Sequence, residues 1–174
     1  MKRCLKLCLA VIASGGLMLG NAVAQPNDWS QWRPLLGKWK ASGAGKPGEG
    51  AGEFSFTLEL QDRVVVRKSH TDYPASSDRP AFAHDDLMIL TRTNEGKVRA
   101  DYFDNEGHVI RYSGDVSQDG KVLTFTSDTT PGQPAFRLTY TLAGAGEMKI
   151  RFEIAPPGKP GEFKTYVEGT ARKS

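Results

Sequence analysis

Apolar and polar side chains take turns along most of this chain. Phe54, Phe56, Leu58 and Leu60 alternate with Ser55, Thr57 and Glu59, and Phe136, Leu138, Tyr140 and Leu142 alternate with Arg137, Thr139 and Thr141. Met148, Ile150, Phe152 and Ile154 alternate in the same way with Lys149, Arg151 and Glu153. Side chains on a strand point to opposite faces in turn, so period 2 marks half-buried antiparallel strands with one face inside and one in water. The pattern predicts about ten strands, near 37 to 43, 52 to 60, 63 to 72, 83 to 92, 97 to 103, 108 to 115, 121 to 127, 135 to 143, 147 to 155 and 163 to 172. No helical stripe of any length interrupts them.

The expected fold is all-β: a single up-and-down antiparallel β-barrel of about ten strands with a short N-terminal helix. Two packed sheets are the alternative, since strand counting does not separate a closed sheet from a sandwich. The helix is expected within Asp28-Trp29-Ser30-Gln31-Trp32-Arg33-Pro34-Leu35-Leu36, with Asp28 as N-cap and the Trp and Leu side chains folded onto the barrel base. In a simple meander, alternate connections fall at opposite ends. One end then holds tight turns at Gln61-Asp62, Thr93 to Gly96, Ser117 to Gly120 and Ala143 to Gly146. The other collects Gly45 to Gly50, Tyr73 to Phe82, Asp104 to Gly107, Asp128 to Pro134 and Ala155 to Glu162. Binding residues of barrels sit on loops presented by a rigid wall, so the elaborated rim is the expected functional end.

The first 24 residues change the picture of charge. Lys2, Arg3 and Lys6, an apolar stretch from Leu7 to Leu19, and Ala22-Val23-Ala24 follow the plan of a secretory signal peptide, leaving residues 25 to 174 as the barrel domain. The apolar stretch contains Ser14, Gly15 and Gly16 and falls short of the ~20 residues a membrane span needs, so no stable membrane insertion is expected. A periplasmic or secreted location follows. Of the 23 basic residues three lie in this segment, which leaves 20 against 20 acidic ones, so the formal charge of +3 falls to about zero. No global basic field draws nucleic acid. Both cysteines, Cys4 and Cys8, lie in the same segment, and about 150 residues can hold together by their core without disulfides.

All three histidines fall at the elaborated rim. His70 is read as inward with Val64 and Val66, His84 with Met88 and Leu90, and His108 with Ile110 and Tyr112. Three imidazoles from neighbouring strands could hold a metal, with Asp72, Asp85 or Asp86 orienting them, although no H-x-H or H-E-x-x-H pattern accompanies them. Separate hydrogen-bonded rim histidines are the plainer reading. Adjacent Asp85 and Asp86 send one carboxylate into the mouth, either as an acid–base partner for an imidazole or as part of a network that holds the 73 to 82 loop. Asp104-Asn105-Glu106-Gly107 is turn chemistry, flanked by Tyr102 and His108, which are placed to line a pocket. The Gly/Pro-rich stretches at 43 to 52 and 156 to 161 lack the G-K-[ST] and helix of a phosphate loop and are expected to be flexible rim loops. No G-x-S-x-G elbow is present.

Leu35-Leu36-Gly37-Lys38-Trp39, a short helix running into Gly-x-Trp, resembles the opening of lipocalin-type (calycin) barrels. The strand count and the Gly-rich segment before Gly52-Glu53-Phe54 are more similar to the ten-stranded nitrobindin-like and fatty-acid-binding-like branch. The resemblance implies that Trp39 packs over a closed base. The nitrobindin-like branch also implies haem held by a histidine late in the chain, but no histidine follows His108. The segments around His70-Thr71-Asp72-Tyr73, His84-Asp85-Asp86 and Tyr102 to His108 also resemble uncharacterised exported bacterial proteins, which imply no function.

These observations lead to the expectation of an exported barrel that binds a small, largely apolar ligand, with polar selection at the mouth by His70, Tyr73, His84, Asp86, Tyr102 and His108. A hydrolytic or metal-assisted enzyme using the same rim, and an interaction module with a filled core, stand as alternatives. No cofactor and no oligomeric state follow from the sequence.

Overall fold

The computed structural model describes residues 28–144 and 146–174, so the signal-peptide reading lies outside the described residues. Ten antiparallel strands close into one barrel: β1 (Gly37–Gly45), β2 (Gly48–Glu59), β3 (Val64–Tyr73), β4 (Phe82–Arg92), β5 (Val98–Asp104), β6 (Val109–Val116), β7 (Val122–Ser127), β8 (Ala135–Gly144), β9 (Glu147–Ala155) and β10 (Lys164–Lys173). Each strand pairs with its neighbours in sequence, and β1 pairs with β10 to complete the ring. Closure leaves no sheet edge, which answers the choice between barrel and sandwich.

The end with the tight turns is plugged. A 3-10 helix, η1 (Ser30–Leu35), lies across it with Trp32 and Leu35 buried. Asp28 accepts the Ser30 N–H at 2.9 Å, while Trp29 takes the N-cap position expected of Asp28 and its carbonyl accepts from Trp32 and Arg33. The Trp29 indole donates to the Asp62 carbonyl at 2.9 Å, which ties the helix to the β2–β3 turn. Trp32 sits 5.2 Å from Phe125 in the lumen, directly over Gly114, where an added Cβ would come within 2.8 Å of the indole. Trp39, on β1, is buried, donates to the Leu35 carbonyl at 2.7 Å and stacks on Phe54. Above this floor Phe54, Phe56, Tyr112, Phe125 and Tyr140 interlock edge-on at centroid distances of 5.7 to 6.4 Å. The base half of the lumen is therefore packed like a protein interior.

The segment from 43 to 52 differs from its expectation as a flexible loop. β1 runs to Gly45 and β2 begins at Gly48, so the glycines are strand residues in a tight hairpin. An added Cβ at Gly43 would meet the Glu168 carbonyl oxygen at 2.6 Å, and at Gly52 the His70 carbonyl oxygen at 1.9 Å. These strands coil so sharply that only hydrogen fits where a side chain would stand, a known device for bending a sheet into a barrel. Gly52→Ala should cost about 2 to 3 kcal/mol through forced separation of β2 from β3. Urea denaturation would report it as a lowered midpoint with an unchanged slope.

Candidate functional site

At the end away from η1 the inner wall has two characters. On β8, β9 and β10 the inward positions include Phe136, Ile150, Phe152, Ile154 and Val167, half-buried although they face the lumen, together with buried Leu138 and, at the rim, exposed Lys164. This half of the lumen is open. Across the ring, β3, β4 and β5 present Ser69 and Thr71, His84 and Asp86, and Tyr102 and Asp104. Between the two walls, β1, β2 and β10 contribute Gly43, Gly52 and Gly169, where the backbones approach too closely for a side chain.

The polar wall is one connected network. At its foot Arg67 forms an ion pair with Asp86, with side chains only 10% and 5% exposed. The Arg67 guanidinium also lies 5.4 Å from the centre of the Phe54 ring. Burial pushes the Asp86 carboxyl above the usual carboxylate range, although Arg67 and His84 pull it back. The Tyr140 hydroxyl, beside Arg67, makes no well-formed hydrogen bond, and burial pushes it up to about 12. Above the pair, His84 Nδ1 meets Glu106 Oε1 at 2.9 Å and its Nε2 meets the Tyr102 hydroxyl at 3.0 Å. A carboxylate only accepts, so Nδ1 carries a proton and donates to Glu106. The Tyr102 hydroxyl donates to Asp104 Oδ2 at 3.3 Å while also contacting His84 Nε2. Burial, then Asp86 and Asp104, raise the Tyr102 phenol and keep it a donor.

Asp104 organises the β5–β6 turn. Its Oδ1 accepts the Glu106 and His108 N–H groups at 3.0 and 2.9 Å, and its Oδ2 accepts from His108 Nδ1 at 2.9 Å. Burial alone would raise its carboxyl, but these N–H groups and the His108 ring outweigh it and hold the group below the usual range. A depressed carboxylate stabilises the fold above its unfolded pKa and loses that contribution as pH falls through the folded value. The loss is expected below 3.8, the ordinary value of an aspartate carboxyl. Asp104→Asn should therefore flatten the acid limb of a plot of urea midpoint against pH.

The predicted site residues divide accordingly. His84, Asp86 and Tyr102 come together on the polar wall, and His108 joins them through Asp104. Tyr73 faces inward at the lip, apart from the network, with its ring 4.7 Å from Phe82 and the Arg79 guanidinium 4.5 Å over Phe82. His70 is corrected: the inward set on β3 is Val65, Arg67, Ser69, Thr71 and Tyr73, so Val64, Val66 and His70 face outward. Its ring is 48% exposed and bonds Asp85 at 2.7 Å with Asp72 at 3.3 Å, partners that raise its pKa, Asp85 first. The strand is one residue out of the expected register because Arg67 takes an inward place to meet Asp86. The three-histidine metal grouping of His70, His84 and His108 therefore does not form. Among the described residues no three His, Cys, Asp or Glu side chains are gathered for a metal.

Haem held by a late histidine does not fit the residues present either. The inward positions of β8 to β10 carry no imidazole, and both ring nitrogens of His84 on the opposite wall already have partners. Arg67, Asp104 and Glu106 were not among the expected site residues. Among the described residues no helix is long and apolar enough to cross a membrane.

The barrel is similar to the crystal structure of Rv2717c from M. tuberculosis, with a TM-score of 0.63 and 19% identity over 86% of this chain and 98% of that one. The shared property is the fold. Weaker likenesses join it to a de novo designed fluorescence-activating β barrel (TM-score 0.41, 12% identity, 82% of this chain and 95% of that one). A further one is to EF1p2_mFAP2b bound to DFHBI (TM-score 0.44, 10% identity, 83% of this chain and 97% of that one). No protein-family model matches the chain, and no curated protein matches it.

Proposed function

We propose that this is an exported, lipocalin-like barrel that takes a small, largely apolar ligand into its mouth and selects the ligand's polar end on the β3–β5 wall. The observation that carries the reading is the split inner wall: partly exposed Phe136, Phe152 and Val167 face the hydrogen-bonded groups of His84, Tyr102 and Asp86. Monomeric proteins bury apolar side chains where they can, and an apolar half-lumen left open beside oriented polar groups is what a small-molecule site needs. Export rests on the signal-like first 24 residues, and the lipocalin-like affiliation on Gly37-Lys38-Trp39 with its indole over the plugged base.

Native mass spectrometry of protein purified from its source organism tests this reading. A small-molecule adduct lost on denaturation is expected, and Phe152→Arg, which puts a long cation into the lumen, should abolish it. His70→Ala should leave it intact because that ring faces outward. No adduct, together with no uptake of an apolar fluorescent probe, would refute the reading.

A second reading, hydrolysis, draws on the Glu106–His84 contact, since a carboxylate-oriented imidazole can take a proton from water. The His84 nitrogen that would do so is already occupied by the Tyr102 hydroxyl, so binding is the better supported of the two.

A further inference from the structure

The polar wall bears on the charge of the ligand as well as its shape. Three carboxylates, Asp86, Asp104 and Glu106, stand there with one guanidinium, Arg67, and two imidazoles, His84 and His108. The wall is anionic whenever either imidazole is neutral. Arg67, the group that would attract a carboxylate, is buried at the foot of the wall and already neutralised by Asp86. The two inner carboxylates are 5% and 4% exposed, whereas Glu106 is 52% exposed at the lip and uses one oxygen on His84, leaving the other as a free acceptor. Aromatic faces surround the same opening. Tyr73 and Phe82 stack at the lip and already seat one cation, Arg79, on the β1–β2 side, while Phe136, Phe152 and Tyr166 form a run opposite. Ring faces and a part-buried carboxylate attract a cation and repel an anion.

We infer that the mouth selects an amphiphile whose polar end is a protonated amine, held by the outer oxygen of Glu106, with its apolar part along Phe136, Phe152 and Val167. The inference rests on the small-molecule reading and adds the class of ligand. Tyr102 fits this arrangement. Burial raises its phenol first, and the nearby Asp86 and Asp104 add to that in the direction a negative wall gives. Asp86 and Asp104 act through that potential, and Glu106 through contact.

The test is calorimetric binding of n-decylamine, n-decanol and decanoate, below micelle formation, to the intact barrel at neutral pH. Decylammonium should bind at least about tenfold more tightly than decanoate, the discrimination typical of one charge-assisted hydrogen bond. Glu106→Gln should remove most of that preference, and Glu106→Asp should restore part of it. Glu162→Gln, on an outer loop where the carboxylate pairs with Lys159, should change nothing. Decanol binding with decanoate equal to or tighter than decylammonium would overturn the inference and leave the small-molecule reading standing. A preference for the amine that survives Glu106→Gln would overturn the assigned contact. Failure of all three probes to bind would remove both readings together.

Discussion

Asp86→Ala is expected to destabilise the protein by about 3 to 5 kcal/mol, because it strands the Arg67 guanidinium in the lumen without its counter-charge. The upward direction of the Asp86 carboxyl, set first by burial, has a second consequence: charging this group costs more in the folded state than in the unfolded chain. The pair as a whole is then a weak source of stability, though each half is costly to lose. Arg67→Met with Asp86→Leu should recover most of the loss, and the four urea midpoints of the cycle would show a large favourable coupling. Strict additivity of the two single losses would mean that the side chains do not depend on each other.

Trp39→Ala should cost about 3 to 5 kcal/mol, lowering the melting temperature by roughly 10 °C for a domain of this size. The indole is 1% exposed, and it holds three things at once: the Leu35 carbonyl at the end of η1, the Phe54 face, and the Lys173 ammonium 5.2 Å over its ring. Removing it opens a cavity between plug and barrel floor that neither can refill. The loss should appear equally with and without ligand, since the indole lies at the opposite end from the mouth. An unchanged denaturation midpoint would show that the base does not depend on it.

The strands were legible because most have one wet face and one dry one, and the alternation around Phe54, Phe136 and Met148 carries straight into the observed register. The meander order of strands followed from turn chemistry at alternate ends, while its closure through β1 and β10 did not, since the same turns suit two packed sheets. Two places were not legible, for opposite reasons. In β3, Val64-Val65-Val66 offers no parity, and the charged Arg67 reads as an outward residue unless its partner nineteen positions on is known; the error turned His70 inward. Around Gly43 to Gly52 the composition reads as loop, because glycine's usual use in turns hides its use where two backbones touch. Asp104 and Glu106 were recognised as turn residues, which they are. The second role of Glu106 depends on His84 arriving from β4, which one strand alone cannot reveal, whereas Asp104 meets His108 within the same turn.

The closing pair of strands, finally, sets the timing of folding. Every other pairing joins strands adjacent in sequence, whereas Trp39 meets Lys173 only when the far end of the chain returns to the start. During synthesis the meander can lengthen hairpin by hairpin, but β1 keeps a bare edge until its partner leaves the ribosome. Long-range closure of this kind is slow relative to local pairing. A chain lacking only its last ten residues would lose the ring with nearly all of its hairpins intact, and its unsatisfied edges would be open to pairing with other chains.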